Sequence, residues 1–154
     1  MRIQFLAASL TGFTLLVGCS EGSSSVVTYR NDYCSVNAPI GEAAFNTQTA
    51  LRPWGWAFDR ASGTIPAKIF MQLVSEDKKV SVMAPLTRSS RPGVAKAFGN
   101  PKLEMAGFVG NIDVSSLPSG TYVVSIVQKD GVNTFVCTSP SKIQLQAAVS
   151  AAKS

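Results

Sequence analysis

Histidine is absent from the 154 residues, so any chemistry falls to carboxylates, lysines, arginines, aromatic rings and three cysteines. The commonest general base, the Ser-His and Cys-His nucleophile pairs and most zinc sites are excluded together. The nine acidic residues are dispersed, and the one adjacent pair, Glu76-Asp77, sits in the polar run Ser75-Glu76-Asp77-Lys78-Lys79, which reads as a solvated hairpin tip. Asp130 before Gly131 and Asp113 before Ser115 and Ser116 are accounted for by turn chemistry. A carboxylate-dependent glycan hydrolase would need two acids about 5 to 9.5 Å apart, and nothing in the spacing announces such a pair. Two features point to recognition instead. Trp54, Trp56 and Phe58 recur at period two and share one strand face; facing solvent they would stack on sugars or a peptide, facing inward they are core, with Trp54 the expected exception. The loop before Glu104 carries Arg88, Arg91, Lys96 and Lys102 without an acidic residue, a candidate site for an anionic glycan, a lipid headgroup or an acidic protein surface.

The first nineteen residues set where such a surface would work. Arg2 precedes an apolar run over 3–17 that is too short for a permanent membrane span, and the run ends in Leu16-Val17-Gly18-Cys19 followed at once by the polar Ser20-Glu21-Gly22. This arrangement resembles the lipobox of bacterial prolipoproteins. The resemblance implies cleavage after Gly18 and a diacylated, then N-acylated, Cys19, palmitate-like chains anchoring the mature protein. Ser20 in place of Asp after the cysteine implies the outer membrane of a two-membrane cell. Several acyl chains on one residue hold far more firmly than one, at about 0.8 kcal/mol per buried methylene.

With Cys19 assigned to the lipid, Cys34 and Cys137 remain, and an exported compartment lets them pair. They lack the Cys-x-x-Cys spacing of redox catalysts, and no histidine completes a metal site, so the expectation is a structural disulfide with no metal and no cofactor. The mature length of about 135 residues suits one domain. The net charge of +5 includes Arg2; the remaining charge of about +4 is scattered, which with the location argues against a nucleic-acid partner. The expected division is signal peptide 1–18, lipidated cysteine and flexible tether 19–26, a β-sandwich domain 27–147 and a disordered tail 148–154. Fully stretched, residues 20–25 give the tether about 20 Å of reach, which keeps the body near the membrane.

Strand-like runs are expected over 26–33, 52–59, 67–74, 79–83, 105–113, 120–129, 132–138 and 142–146, with 35–49 irregular and one helical turn over 94–98. Tyr122, Val124, Ile126 and Gln128 alternate with Val123, Ser125 and Val127, which marks a central strand. About seven short strands, frequent turns and one clasping disulfide give an all-β, antiparallel, immunoglobulin-like sandwich.

Several residue groups, in order, carry a further likeness: Gly55-Trp56-Ala57-Phe58-Asp59, Arg91-Pro92-Gly93-Val94-Ala95 leading to Phe98-Gly99, Ala106-Gly107-Phe108 and Leu117-Pro118-Ser119-Gly120-Thr121-Tyr122. Together they resemble an immunoglobulin-like module of bacterial envelope proteins, also found beside glycosyltransferase domains, with the pattern GWAxD, RPDVA, AGF, LPxGxY. Gly93 stands where that pattern has Asp. Arg91 would be either an inward clamp on Asp59 or a surface charge. The function this implies is a non-catalytic binding or assembly module of the cell envelope, partnered by the membrane through Cys19 and by an envelope protein or anionic glycan. The alternatives are a carboxylate-dependent glycan hydrolase and a structural subunit of a secretion, pilus or polysaccharide-export machine.

Overall fold

A computed structural model of the chain describes residues 25–30, 33–38, 44–47 and 50–147. The expected signal peptide 1–18, Cys19, most of the expected tether and the expected tail 148–154 lie outside the described residues.

Among the described residues ten strands form two sheets. They are β1 (Val26–Tyr29), β2 (Cys34–Ala38), β3 (Ala44–Asn46), β4 (Trp54–Ala57), β5 (Lys68–Ser75), β6 (Ser81–Pro85), β7 (Thr87–Ser89), β8 (Gly107–Val109), β9 (Gly120–Asp130) and β10 (Asn133–Gln146). The larger sheet runs β1-β10-β9-β5-β6, with β3 also on β10; the smaller runs β2-β4-β8-β7. Pairing is antiparallel except where β1 and β3 lie parallel to β10. The result is an all-β sandwich in which β2, β3 and β7 lie outside the eight expected runs. The passage over 35–49 contributes most of these, since β2 and β3 both fall in or beside it.

The long strands follow directly from alternation. On β9, Tyr122, Val124, Ile126 and Gln128 face the interior, and on β5 Ile69, Met71 and Leu73 do the same; all are buried. Phe108 of β8 and Ala57 of β4 meet them from the smaller sheet, forming one continuous core. Each large side chain so buried contributes about 1.5–3 kcal/mol. Turn residues close the hairpins as their types require. Asp77 accepts from the Ser75 hydroxyl at 2.6 Å and from the Lys79 backbone N–H, while Lys78 takes a φ of 60°. Gly131 supplies the φ of 56° at the β9–β10 turn.

One covalent bond ties the sheets together, and a local corner fixes the entry to β9. Cys34 of β2 is bonded to Cys137 of β10, with Cα atoms 6.1 Å apart and 103 residues between them in sequence. Tyr122, at the start of β9, donates its hydroxyl to the Pro118 carbonyl at 2.8 Å. A tyrosine bonded back to the preceding corner is the arrangement called a tyrosine corner in immunoglobulin-like sandwiches.

Candidate ligand-binding face

On β4 the period-two alternation sends Gly55 and Ala57 inward and Trp54 and Trp56 to the outer face of the smaller sheet. Gly55 is required by close approach: a Cβ there would lie 2.0 Å from the Ser35 carbonyl oxygen and 2.7 Å from the Phe108 ring. The aromatic row therefore faces away from the main core. Residues 90–106 fold over that outer face as helix α1 (Pro92–Ala97) and a 3₁₀ turn (Pro101–Leu103). Under them Phe58, Val94, Leu103 and Ala106 make a second, small core, with Trp56 packed at its margin.

Burial along the row is graded. Phe58 is enclosed, Trp56 is half-buried and Trp54 is 40% exposed. Phe98, also 40% exposed, meets Trp56 and Phe58 edge-on at 5.6 and 4.8 Å between centroids, while Trp56 and Phe58 stack at 5.7 Å. Aromatic pairs at these separations add about 0.5–1.5 kcal/mol beyond area burial and hold the rings in fixed orientations.

Arg91 sits just before α1, its backbone N–H donating to the Glu104 carbonyl at 2.6 Å. Its guanidinium lies over the Trp54 ring at 4.6 Å. The stem crosses β8 beside Gly107, where a Cβ would come within 2.4 Å of the Arg91 Cγ. Next to this pair opens a groove of about 610 Å³, lined by Asn37, Trp56, Ser90, Arg91, Pro92 and Phe98 among others. The groove thus offers apolar ring surface below, a guanidinium at one edge, and amide and hydroxyl groups around it. That composition fits a ligand with both C–H faces and acidic or hydroxyl substituents.

The four cations expected to form one basic patch separate. Lys96 on α1 and Lys102 on the 3₁₀ turn are exposed, and Arg91 is on Trp54. Arg88 is a correction, since its guanidinium points into the sandwich. Nη1 donates to the carbonyls of Ala57 at 2.7 Å and Ala106 at 3.2 Å, and Nη2 to the Pro66 carbonyl at 3.0 Å and Gln128 Oε1 at 2.8 Å. Its Nε is buried with no partner among the described residues. Burial beside neutral acceptors pulls the Arg88 pKa down to about 10, which still leaves it charged at neutral pH. The physical reason for the error is pleat direction: Arg88 pairs with Phe108 in register, so both side chains face inward. The inward clamp considered for Arg91 is made by Arg88, and Asp59 is not its partner. The Asp59 carboxylate instead accepts from the backbone N–H groups of Ala61 and Ser62 and from the Ser62 hydroxyl, holding the turn after β4.

Other carboxylates are likewise engaged locally. Glu76 pairs with Lys142 across the far end of the larger sheet. The Ser75 hydroxyl, then the Lys79 N–H, lower the Asp77 pKa, and the Ser115 N–H lowers that of Asp113. A general acid needs the opposite shift. Among the described residues no group of three or more potential ligand side chains is placed to hold a metal ion.

Phe98 was in view beside Gly99 in the likeness to the envelope module and at the end of the expected helical turn, but not as part of a binding face. Asn37 and Ser90 were not singled out, and they come to the groove through pairing and crossover that no local pattern reports. Another unanticipated group is Tyr33, whose ring centroid is 5.7 and 5.8 Å from the guanidinium carbons of Arg30 and Arg60. No family model and no curated protein matches this chain, so its likeness to an envelope module rests on the residues quoted above alone.

Proposed function

We propose that this chain is a lipid-anchored, non-catalytic binding module of the bacterial cell envelope, immunoglobulin-like in architecture, held on the outer membrane through Cys19. Its recognition surface is the Trp54–Arg91 face, and the ligand class is a glycan bearing acidic groups. The observation that carries this reading is the exposed Trp54 ring under the Arg91 guanidinium at 4.6 Å, at the rim of a groove containing Trp56 and Phe98. A pyranose presents C–H groups to an aromatic face, and a uronate carboxylate suits the donor fork of an arginine. The downward pKa shifts of Asp77 and Asp113 and the capping role of Asp59 favour this over the hydrolase reading. The cross-sheet disulfide and the Tyr122 corner favour the immunoglobulin-like module.

Two measurements test it. Intact-mass analysis of the mature protein should show a diacylglyceryl thioether and an N-acyl chain on Cys19; a protein that retains the first eighteen residues or carries an unmodified thiol rules the anchor out. On a glycan array, binding should concentrate on uronic-acid or otherwise anionic saccharides. Trp54→Ala and Arg91→Ala should each weaken it about tenfold, the loss expected from one stacking or charge-assisted contact, with thermal stability changed by about 1 kcal/mol or less. A stoichiometric protein partner with no glycan binding would make the chain an assembly subunit instead.

A further inference from the structure

Among the described residues, four of the nine large apolar side chains left exposed lie at one place, where the tether enters the domain: Val26, Val27, Tyr29 and Val132. β1 starts beside the tip of the β9–β10 hairpin, with the Val26 N–H donating to the Val132 carbonyl at 3.1 Å. Tyr29 is 73% exposed on the edge strand of the larger sheet.

Cations lie in the same rows. Lys68 on β5 is in register with Lys129 on β9, Lys129 with Thr134 on β10, and Thr134 with Val27 on β1, so the four stand across the outer face of the sheet at its tether end. The next row on that face is Phe70, Val127, Val136 and Tyr29. Val127 and Val136 are already covered, which leaves the rim as the accessible part. Two lysines directly opposite each other repel, and a like-charged cross-strand pair destabilises a sheet unless something compensates. Among the described residues Lys129 gains the Phe70 ring, 5.5 Å from its Nζ, and no acidic partner. The nearest acid along the chain, Asp130, falls on the opposite side of the pleat from Lys129.

We propose that this rim is a membrane-contact surface: Val26, Val27, Tyr29 and Val132 enter the headgroup layer while Lys68 and Lys129 engage anionic headgroups. The inference rests on the lipid anchor at Cys19. Only residues 20–25 separate that cysteine from β1, about 20 Å at full stretch, so this end of the sandwich is the one the anchor presents to the bilayer. An aromatic and aliphatic rim with flanking lysines has the composition that suits an anionic interface, the apolar groups entering and the ammonium groups staying at headgroup level. Contact would also fix the orientation of the body, so that the Trp54–Arg91 face is held at a set attitude to the membrane and does not swing on its tether.

The test uses the acylated protein in vesicles of phosphatidylethanolamine and phosphatidylglycerol. Cys19 is blocked by lipid and Cys34 by Cys137, so a nitroxide reagent labels only an introduced thiol. At Val132→Cys the label should be shielded from a water-soluble relaxation agent and open to oxygen; at Ser119→Cys, toward the other end of β9, it should remain fully open to the aqueous agent. Adding Lys68→Glu and Lys129→Glu should lower the shielded population at Val132 about tenfold while the protein stays vesicle-bound. Circular dichroism identical to the parent confirms that these variants are folded. An acylated, vesicle-bound protein whose Val132 label is as open as Ser119 overturns the contact and leaves the anchor standing. An unacylated protein that remains in the supernatant overturns both. Spin–spin broadening at Val132 in detergent, with no bilayer present, gives the rim to a second copy of the chain and also overturns the proposal.

Discussion

Replacing Arg88 by alanine should destabilise the domain by about 3–4 kcal/mol, a fall in Tm of about 10–15 °C, while leaving ligand binding at the Trp54–Arg91 face intact in the folded fraction. The size follows from what the substitution removes. Three backbone carbonyls and Gln128 Oε1 converge on one guanidinium inside the sandwich, and none is a charged partner that could be left stranded. Alanine leaves these acceptors short of a donor in a place water enters poorly, and it opens a void between Phe108 and Gln128, both buried. Desolvation by burial is why the Arg88 pKa falls to about 10, although the group stays charged at neutral pH. Arg88→Lys should recover part of the loss, because an ammonium on a shorter reach serves one or two of the four acceptors. Urea denaturation of the three proteins decides the matter. A cost under about 1 kcal/mol for Arg88→Ala would mean that the side chain faces solvent and belongs with Lys96 and Lys102 after all.

That Arg88 was grouped with the surface cations shows where local pattern stops being informative. Long elements whose two faces differ were readable: the β5–β6 hairpin, with its charged turn, and β9, with Tyr122, Val124, Ile126 and Gln128 inward, lie within two residues of the expected positions. The runs over 132–138 and 142–146 are one strand, β10, whose register shifts between Thr138 and Lys142 where Pro140 interrupts the ladder. β3, β7 and β8 are three residues each, too short for any period to show, and exist because a neighbour supplies the ladder. β2, Cys-Ser-Val-Asn-Ala, has weak intrinsic strand preference and is held by β4 and the disulfide. The direction of Arg88 depended on β7, so a missed three-residue strand became a misplaced side chain. Trp54 was legible because the period of β4 is visible in its own residues. Its partner Arg91 was in view as a charge, but the stacking required residues 90–106 to fold back over the smaller sheet, a tertiary event that the sequence pattern does not encode locally.

Removing the Cys34–Cys137 bond should lower stability by about 2–4 kcal/mol, below the limit of about 4.7 kcal/mol that chain entropy sets for a loop of this length. The loss should be uneven. β1 is four residues long, largely exposed and paired on one side only, and β2 is the edge of the smaller sheet, so in the reduced protein amide exchange should accelerate over Val26–Tyr29 and Cys34–Ala38 before it does over β5 and β9. The bond also adjoins the Arg88 cluster. Cys34 is in register with Ala57, whose carbonyl accepts from Arg88, and Cys137 with Ile126, two residues from Gln128. Effects at such neighbours couple by about 0.5–3 kcal/mol in either direction, so their sum is a centre and not a fixed value. Together the two losses amount to about 5–8 kcal/mol, comparable to the whole stability of an ordinary domain, so Arg88→Ala with both cysteines changed to serine should be largely unfolded at 25 °C. If reduction costs under about 1 kcal/mol and exchange over β1 and β2 is unchanged, the strands are held by their ladders and the bond is incidental. If the loss has the expected size, the consequence reaches the membrane: β1 carries Val26, Val27 and Tyr29, and its release would lengthen the tether and take the apolar rim away from the body it is meant to seat.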